Sequence, residues 1–404
     1  MLSFIHMVVP RIRIYLPKSS YKLFFRCLLK KQLISGPAIN EFEKQFSSYI
    51  GTKYAVAVSS GRIGLYLTLK VLGIKKGDKI ILSSYNSPVV PNIVRAVNAT
   101  PVFVDINPDT LNMENKSIKE KITKRTRSII ALHTEGQPCE IDKIIKIVRK
   151  YRPFVIEDCA HSVGAKYKNK IVGSTGDVSF FSFGIGKFIN TLGGGMVVTN
   201  NKKIAGRIRT LIKSFNEPNR FVLTRKFILA NLLSFLTNPI IFSLFVYPFL
   251  IISNLFRKDI IYRFFEDVGT TGIKQKNLIR FSNFQALLGL EQMRNLEIRL
   301  KKQRYNIDTL IRNINRKKVK FQKAVFNSQP VYLHFTLLSR NRSKLMIKLL
   351  WKGIDTQVSW MKSCSSKGEC QISDMLSERA IYIPIYHDLT EKDIKYIADV
   401  LNSE

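Results

Sequence analysis

Lys187 is the residue whose surroundings most strongly indicate chemistry. It lies in the segment SFFSFGIGKF, close after Gly184 and Gly186, and the glycine run Gly193–Gly195 follows it. A lysine amine can attack a carbonyl carbon and can later carry a proton. The glycines leave space for a flat cofactor against the backbone, and Ser182 stands five residues before the lysine. The segment therefore has room for a cofactor beside Lys187, although a single lysine is by default a surface residue.

A second group of polar residues follows the apolar segment PFVI. Glu157 and Asp158 come directly after it, and His161 lies three residues beyond Asp158. A carboxylate at the end of a strand is often structural, but it can also pair with a protonated ring nitrogen. A histidine after a buried strand can likewise be a satisfied core residue. Taken alone, the spacing leaves both interpretations open for Asp158 and His161.

A third group could hold a phosphate. The sequence Ser59-Ser60-Gly61-Arg62 follows the apolar run Tyr54–Val58 and precedes a helical pattern from Ile63 to Leu72. Backbone N–H groups and small hydroxyls at a helix N-terminus bind phosphate groups. A serine-glycine turn is also a common helix cap. Arg62 can either contact the phosphate or be solvated at the start of the helix.

The chain around these groups alternates short apolar runs with helical stretches. The runs are Tyr54–Val58, Lys79–Leu82, Pro101–Val104, Ser128–Leu132 and Phe154–Ile156. The alternation predicts an α/β fold, with a mainly parallel sheet that is flanked by helices on both faces. In such a sheet the ligand crevice lies at the carboxyl ends of the strands, so the candidate residues are expected to meet there.

Composition shifts along the chain predict three regions. Residues 1–33 form a basic N-terminal extension, in which the stretch MLSFIHMVVP is too short and too broken by proline to be a convincing signal peptide or spanning helix. Residues 34–299 form the large domain, which includes an apolar insert at 227–256. Residues 300–404 form a smaller C-terminal α/β domain, with strands at Val331–Leu337 and Ala380–Pro384 and a last helix at Glu391–Leu401.

The ordered blocks of this chain resemble a known family. Residues 156–201, which include IEDCAHSVGAKY and GSTGDVSFFSFGIGKFINTLGGG, resemble the cofactor-binding stretch of the DegT/StrS family of sugar aminotransferases. The likeness extends through VSSGRIGLYLTLKVLGIKKGDKIILSSY, ALHTEGQPCEID and RFSNFQALLGLEQM, and it covers residues 34–404 apart from the insert. The resemblance implies a fold type I transferase that depends on pyridoxal 5'-phosphate and moves an amino group.

The resemblance also implies roles for individual residues, position by position. It makes Lys187 the Schiff-base lysine, Asp158 the acid that faces the pyridine nitrogen, Ser60, Gly61 and Ser182 the phosphate cup, His161 a contact near the phenolic oxygen, and Arg280 an arginine supplied across a dimer interface. A homodimer follows from the last of these roles. The chain departs from the family pattern at Arg62, where a threonine is usual, at Ser87, where an aromatic residue often stands, and at Leu278, where an asparagine is found.

The charge and the cysteines limit the possible partners. The chain has 65 Lys and Arg against 29 Asp and Glu, a formal net charge of +36, which favours an anionic partner. We find no zinc-finger spacing, no RNP-like motif and no basic region before heptads, so nucleic acid is not expected. The five cysteines are scattered, which indicates reduced thiols in a cytoplasmic setting, and they have no spacing typical of a metal site.

The apolar insert needs an interpretation of its own. Phe227–Phe256 contains no charged residue, and basic pairs flank it at both ends. A single crossing of a membrane would place Lys187 and Arg280 on opposite sides, so a simple spanning helix is excluded if both residues serve one site. Asn238-Pro239 and Pro248 are expected to break the helix. Two interpretations of the insert remain: a hairpin that enters one leaflet, or a buried helix pair at a protein interface. The basic flanks favour membrane contact.

The sequence thus predicts an aminotransferase that acts on a keto-sugar, carried by a nucleotide, in the biosynthesis of a surface polysaccharide or glycoconjugate. By resemblance the amino donor is glutamate or glutamine, and the expected location is the cytoplasm or the cytoplasmic face of the membrane. The high positive charge suits a diphosphate-bearing substrate. The alternative is a catalytically silent, membrane-associated scaffold of the same fold, which the departures at Arg62, Ser87 and Leu278 would suit.

Overall fold

A computed structural model describes residues 7–255, 273 and 278–403 of the chain. Phe256 at the end of the predicted insert, the basic pair Arg257 and Lys258, and the first six residues of the N-terminal extension lie outside the described residues.

Sixteen strands are present in the described part of the chain. Their bounds are β1 Tyr54–Val58, β2 Lys79–Ser83, β3 Tyr85–Asn86, β4 Thr100–Val104, β5 Thr126–Leu132, β6 Phe154–Asp158, β7 Lys166–Tyr167, β8 Lys170–Ile171, β9 Val178–Ser182, β10 Gly195–Thr199, β11 Lys320–Phe321, β12 Ser328–Gln329, β13 Phe335–Leu338, β14 Gln357–Val358, β15 Lys362–Ser363 and β16 Ala380–Ile383.

The helices of the described residues alternate with these strands. Their bounds are α1 Ser19–Leu29, α2 Ala38–Ile50, α3 Gly61–Val71, α4 Val89–Ala96, α5 Asn115–Lys121, α6 Ile141–Val148, α7 Lys202–Lys213, α8 Arg220–Leu236, α9 Pro239–Ile241, α10 Tyr247–Leu255, α11 Asn283–Arg294, α12 Leu296–Asn313, α13 Arg342–Trp351, α14 Gln371–Arg379 and α15 Glu391–Asn402. A π-helical segment, Phe242–Val246, joins α9 to α10, and a short 3-10 turn covers Thr134–Gly136.

The central sheet has seven strands in the order β1-β10-β9-β6-β5-β2-β4. Strand β10 is antiparallel to both of its neighbours, and the other four pairings are parallel. Helices pack on both faces, α3, α4 and α7 on one and α2, α6 and α11 on the other. Because both faces are covered, the inner strands are almost continuous apolar runs. The predicted α/β fold with a mainly parallel sheet is confirmed.

A second, antiparallel sheet lies in the C-terminal part of the chain, in the order β11-β13-β16-β14. Helices α12 and α15 cover it, with Ile307, Leu310, Ile394 and Ile397 fully or almost fully buried. Strand β13 begins only at Phe335, later than the predicted start at Val331, because the segment before it runs past the turn at Gly136. Helix α12 crosses the predicted boundary between residues 299 and 300. The division into three regions stays a prediction.

The insert forms a bent helix pair that begins before its predicted start, at Arg220. The break at Asn238-Pro239 is present, and the Asn238 side chain caps the second helix. Pro248 was expected to break the chain again, but it lies within α10. The π-helical segment before it loosens the preceding turn, which accommodates the ring and its missing N–H.

No helix among the described residues is by itself both long and apolar enough to cross a membrane. The pair Arg220–Leu236 and Pro239–Ser253 passes that test together, but the two helices are bent by 71° at the break between them.

Candidate active site

The turn after β9 carries Lys187 into the centre of the molecule. Gly186 has a φ of +87°, and the Lys187 N–H donates to the Gly184 carbonyl at 3.1 Å, so the glycines make the tight turn possible. Burial lowers the pKa of the Lys187 amine to about 8, against the opposing effect of the carboxylates of Glu135 and Asp158. An amine with this pKa is partly neutral near pH 7, which makes it a competent nucleophile.

Asp158 is the last residue of β6 and is almost completely buried. Its Oδ1 accepts a hydrogen bond from the Ala160 N–H at 3.0 Å. Burial raises the pKa of the Asp158 carboxyl, although the charges of His161, His133 and Lys187 oppose this effect. A buried carboxylate at a crevice, with its pKa raised by desolvation, is suited to receive a cationic ring nitrogen.

Ser182 lies beside Ser60 and Gly61, although more than a hundred residues separate it from them in the chain. Ser60 caps α3, its Oγ accepting from the Ile63 N–H at 3.2 Å. A Cβ on Gly61 would lie 3.1 Å from the Ser182 Cβ, and a Cβ on Gly195 would lie 2.7 Å from the Gly61 nitrogen. This side-chain-free cradle at a helix N-terminus fits a phosphate group.

Arg62 lies in the first turn of α3, beside the cradle. Partial burial lowers the pKa of its guanidinium, which nevertheless remains charged at neutral pH. Its position is compatible with a phosphate contact, and that contact stays a prediction.

Glu135 is a buried acidic residue that the sequence analysis did not single out. Its Oε2 lies 3.0 Å from the His161 Nδ1, and the Tyr382 hydroxyl donates to its Oε1. Burial would raise the pKa of Glu135, but His161, His334 and the Tyr382 hydroxyl together lower it to about 2. The available signal was an acidic residue in the stretch ALHTEG, directly after an apolar run.

Glu157, next to Asp158, has a structural role. It accepts hydrogen bonds from the N–H groups of Gly173, Thr175 and Gly176 at 2.6–2.9 Å. The His133 Nε2 lies 3.0 Å from its Oε2, while the His133 Nδ1 accepts from the Cys139 N–H. His133, Glu157 and Cys159 are close enough to hold a metal ion, but these hydrogen bonds already use the ligand atoms of His133 and Glu157.

Arg280 lies apart from the residues described above. Its Nη2 is 3.0 Å from the Glu217 Oε1, and its side chain is 43% exposed. No hydrogen bond or ion pair joins Arg280 to Lys187 or Asp158 within the described part of this one chain. The predicted role of Arg280 in a second subunit's site is not tested by this arrangement and stays a prediction.

Two other segments approach the lysine turn. The N-terminal extension covers it, since a Cβ on Gly186 would lie 2.9 Å from the Ile12 Cδ1. Helix α8 of the insert brings Lys226 to the glycine run, where its Nζ would lie 3.7 Å from a Cβ on Gly193. Burial lowers the pKa of this lysine. Helix α8, which continues into the insert, therefore contacts the glycine run of the candidate site.

Comparison with known proteins agrees with this geometry. The profile of the DegT/DnrJ/EryC1/StrS aminotransferase family matches residues 18–221 and 263–402. The uncharacterized protein MJ1066 of Methanocaldococcus jannaschii is 31% identical over 388 residues, which are 91% of this chain and 89% of that protein. GDP-perosamine synthase of Escherichia coli O157:H7 is 41% identical over 172 residues, which are 43% of this chain and 47% of the synthase.

Solved structures share the fold. The PLP form of the sugar aminotransferase Spr1654 from Streptococcus pneumoniae superposes with a TM-score of 0.77 at 18% identity, covering 98% of each chain. At this level of identity the comparison establishes the fold type and leaves the substrate open.

Proposed function

The chain belongs to the DegT/DnrJ/EryC1/StrS aminotransferase family, and on that premise we propose that it transfers an amino group from glutamate to a nucleotide-linked keto-sugar. It is a pyridoxal-phosphate-dependent aminotransferase. The observation that carries the proposal is that Lys187, the buried acid Asp158 and a glycine-lined helix N-terminus lie at the same edge of the central sheet, at the carboxyl ends of β9, β6 and β1.

The residues of the crevice divide the work of holding the cofactor. Ser60, Gly61 and Ser182 would hold the phosphate group, Asp158 would pair with the protonated ring nitrogen, and Lys187 would bond to the aldehyde carbon. When bound, pyridoxal phosphate supplies an electron sink for the pair released at the substrate carbon. His161 would contact the ring oxygen from a position that Glu135 fixes at 3.0 Å.

Lys187 would also move the proton of the reaction. With the cofactor and an amino donor bound, the free amine of Lys187 would act as a base and, once protonated, as an acid. Efficient transfer needs a proton affinity near the working pH, and the Lys187 pKa of about 8 satisfies that condition. Asp158, as the partner of the ring nitrogen, would stay ionised throughout.

The nucleotide-linked substrate is supported by likeness and by charge. One relative of this chain is named GDP-perosamine synthase, and the GDP part of the product in that name contains a diphosphate. The formal net charge of +36 favours anionic ligands, and Arg62 and Lys226 lie beside the cradle and the glycine run. We place the reaction in the biosynthesis of a surface polysaccharide or glycoconjugate.

Visible absorbance and a substrate screen test the function. Purified protein is expected to show the visible band of bound pyridoxal phosphate, and Lys187→Ala is expected to abolish that band because the covalent bond to the cofactor needs the amine. Incubation with glutamate and a panel of keto-sugar nucleotides should give aminated sugars by mass spectrometry. Colourless wild-type protein would instead support a silent scaffold, and a coloured protein that aminates none of the sugars would refute the substrate class.

We also propose a homodimer and contact with a membrane surface. The dimer is supported by the exposed position of Arg280, which can reach a neighbouring subunit rather than its own lysine. The membrane contact rests on the insert. The family profile does not match residues 222–262, so the helices there lie outside the part of the chain that the profile describes.

The insert and helix α1 together present an apolar ridge, which we define as Tyr21, Phe25, Leu29, Ile228, Leu232, Phe235, Leu244 and Phe245. Each of these side chains is at least half exposed, and Leu29 is 85% exposed. The two parts adjoin, because Phe24 of α1 stacks on Phe227 of α8 with a centroid distance of 4.5 Å. Exposed apolar area on this scale indicates an interaction surface.

Charge supports an anionic phospholipid surface as the partner of the apolar ridge. Basic residues border the ridge on α1 and α8, namely Lys18, Lys22, Arg26, Lys30, Lys31, Arg220 and Arg225. No acidic residue occurs between positions 10 and 40 or between 218 and 255. A helix pair that is apolar on one side, basic at its edge and too bent to span a membrane suits binding in the plane of the headgroups.

A further inference from the structure

Glu135 occupies a position that is unfavourable for a glutamate. Its side chain is fully buried, and its backbone is left-handed, with φ +54° and ψ +25°. The turn is held in place from outside, because Leu333 and Val331 donate their N–H groups to the carbonyls of Glu135 and Gly136. Backbone strain of this kind persists only where neighbouring structure imposes it, and it is found often at active sites.

A chain of hydroxyl groups ends on the Glu135 carboxylate. Tyr85 lies 2.7 Å from the Ser359 Oγ, Ser359 donates to the Tyr382 hydroxyl at 2.8 Å, and Tyr382 donates to Glu135. The direction is fixed, because Ser359 gives its one proton to Tyr382, so Tyr85 must donate to Ser359. Every donor points toward Glu135, which indicates that its carboxylate is ionised.

Cationic and titratable groups face the same carboxylate from several elements. The His161 Nδ1 lies 3.0 Å from the Glu135 Oε2, and this contact helps to lower the pKa of Glu135. His334, which stacks on the Tyr382 ring at 4.2 Å, and Lys187 also interact electrostatically with Glu135. Among the described residues, the carboxylates that raise the pKa of Lys187 are those of Glu135 and Asp158.

We infer that Glu135 is a positioning residue of the amino-transfer reaction, which orients His161 beside the cofactor and supplies the negative charge that stabilises Lys187 when it carries the proton. Asp158 cannot supply that charge during the reaction, since its role is to pair with the ring nitrogen. The hydroxyl chain from Tyr85 and Tyr382 keeps the Glu135 carboxylate ionised and in place. This inference rests on the proposed role of Lys187.

The pH dependence of cofactor uptake tests the inference. Cofactor-free protein is mixed with pyridoxal phosphate at pH values from roughly 6 to 10, a range that includes the pKa expected of a buried lysine. The growth of the visible band reports the fraction of neutral Lys187. The Glu135→Gln variant keeps the shape of the side chain but loses its charge, so the midpoint is expected to fall by about one pH unit.

A matched control makes the same change nearby. Glu140 is five positions along the chain and pairs with Lys143 at 2.5 Å on the surface, so Glu140→Gln should leave the midpoint where the wild type has it. A midpoint in Glu135→Gln that coincides with that of Glu140→Gln would overturn the inference, since a purely structural role would alter the yield of folded protein but not the titration of Lys187.

A second variant decides the matter if Glu135→Gln does not fold. Tyr382→Phe removes the hydroxyl that donates to the Glu135 carboxylate, so that more of the negative charge of the carboxylate acts on Lys187, and the midpoint should rise. An unchanged or lower midpoint overturns the inference. Lys187→Ala separates the two proposals. If that variant still forms the band at the wild-type rate, the proposed role of Lys187 is wrong. If Lys187→Ala loses the band but the Glu135 variant has the wild-type midpoint, only the role of Glu135 is refuted.

Discussion

At the scale of the residue, two adjacent carboxylates at the end of β6 have different surroundings and opposite pKa shifts. Successive side chains of a strand point to opposite faces of the sheet. Glu157 therefore points to the turn at Gly173–Gly176 and accepts three backbone N–H groups, while Asp158 points to the crevice. The hydrogen bonds lower the pKa of Glu157 in spite of its burial, and desolvation raises that of Asp158.

This division predicts a pH-dependent stability for Glu157. Its pKa is lower in the folded than in the unfolded chain, so its contribution is present above the ordinary carboxylate pKa and disappears as the pH falls through the folded value. We expect Glu157→Gln to lower the free energy of unfolding at pH 7 by about 2 kcal/mol. Urea unfolding should show that the difference from wild type shrinks below about pH 4.

The control for this prediction is Glu120→Gln, which removes an exposed carboxylate 4.0 Å from Lys116. Surface pairs of this kind contribute little, so its effect is expected to stay within about 0.5 kcal/mol at every pH. An equal effect of the two substitutions at pH 7 would contradict the role assigned to Glu157.

The sequence could single out Lys187, Asp158, Ser60 and Ser182 as candidates, because each ends or follows a strand at the carboxyl edge of the sheet, and their roles stay predictions. It could not locate Glu135 as part of the site. The partners of Glu135 are Tyr382 and His334, about two hundred residues or more away in the C-terminal part of the chain. No local spacing reports such a contact, since only the packing of β16 and the segment before β13 creates it.

At the scale of the element, the insert illustrates what local rules do and do not predict. The break at Asn238-Pro239 follows from the side-chain cap and the proline at the first helical position, both of which are local. The passage of the helix through Pro248 depends on a π-helical segment stabilised by neighbours, such as the Val8 N–H that donates to the Ser243 Oγ. The N-terminal extension therefore shapes the insert, which composition alone could not reveal.

The apolar ridge makes the membrane proposal testable. The purified protein is expected to float with vesicles that contain anionic phospholipid and to bind neutral vesicles weakly, because the basic edge supplies electrostatic attraction. The double change Leu244→Ser and Phe245→Ser should reduce flotation by about tenfold, since two exposed apolar anchors are lost. Raised salt should weaken binding further.

Phe326 provides a matched control, because it is 84% exposed but lies far along the chain from the insert. Phe326→Ser should float as the wild type does. A different result would contradict the membrane proposal. If wild-type protein does not bind anionic vesicles but self-associates in light scattering, and Phe245→Ser removes that association, the ridge binds a second copy of the chain.

At the scale of the whole molecule, the sheet and the C-terminal region share one active-site wall. Strand β15 pairs with β3, and Ser359 and Tyr382 reach across to Tyr85 and Glu135. The α/β class and the order of the main elements followed from hydrophobic periodicity, because these depend on the pattern along the chain. The antiparallel direction of strand β10, next to the edge strand β1, could not be predicted from periodicity. Strand direction depends on the connection that the chain takes between strands.

The proposed homodimer leads to the last prediction, a complementation between two inactive variants. If Arg280 serves the site of the neighbouring subunit, Lys187→Ala and Arg280→Ala homodimers each lack one essential group in every site. In a mixed dimer, one site has lost both groups and the other has kept both. Random exchange of subunits would make half of the dimers mixed, so amino transfer should recover to about a quarter of the wild-type rate.

The measurement is amino transfer before and after the two purified variants are unfolded, mixed and refolded together, with each variant refolded alone as the control. Recovery is possible only when the two groups come from different subunits, because a cis arrangement leaves both sites of a mixed dimer damaged. The Glu217 carboxylate, 3.0 Å from the Arg280 guanidinium in a single chain, would then act as a partner that holds the arginine in position for the neighbouring subunit. Glu217→Gln should weaken the recovered activity without removing the visible band of the cofactor.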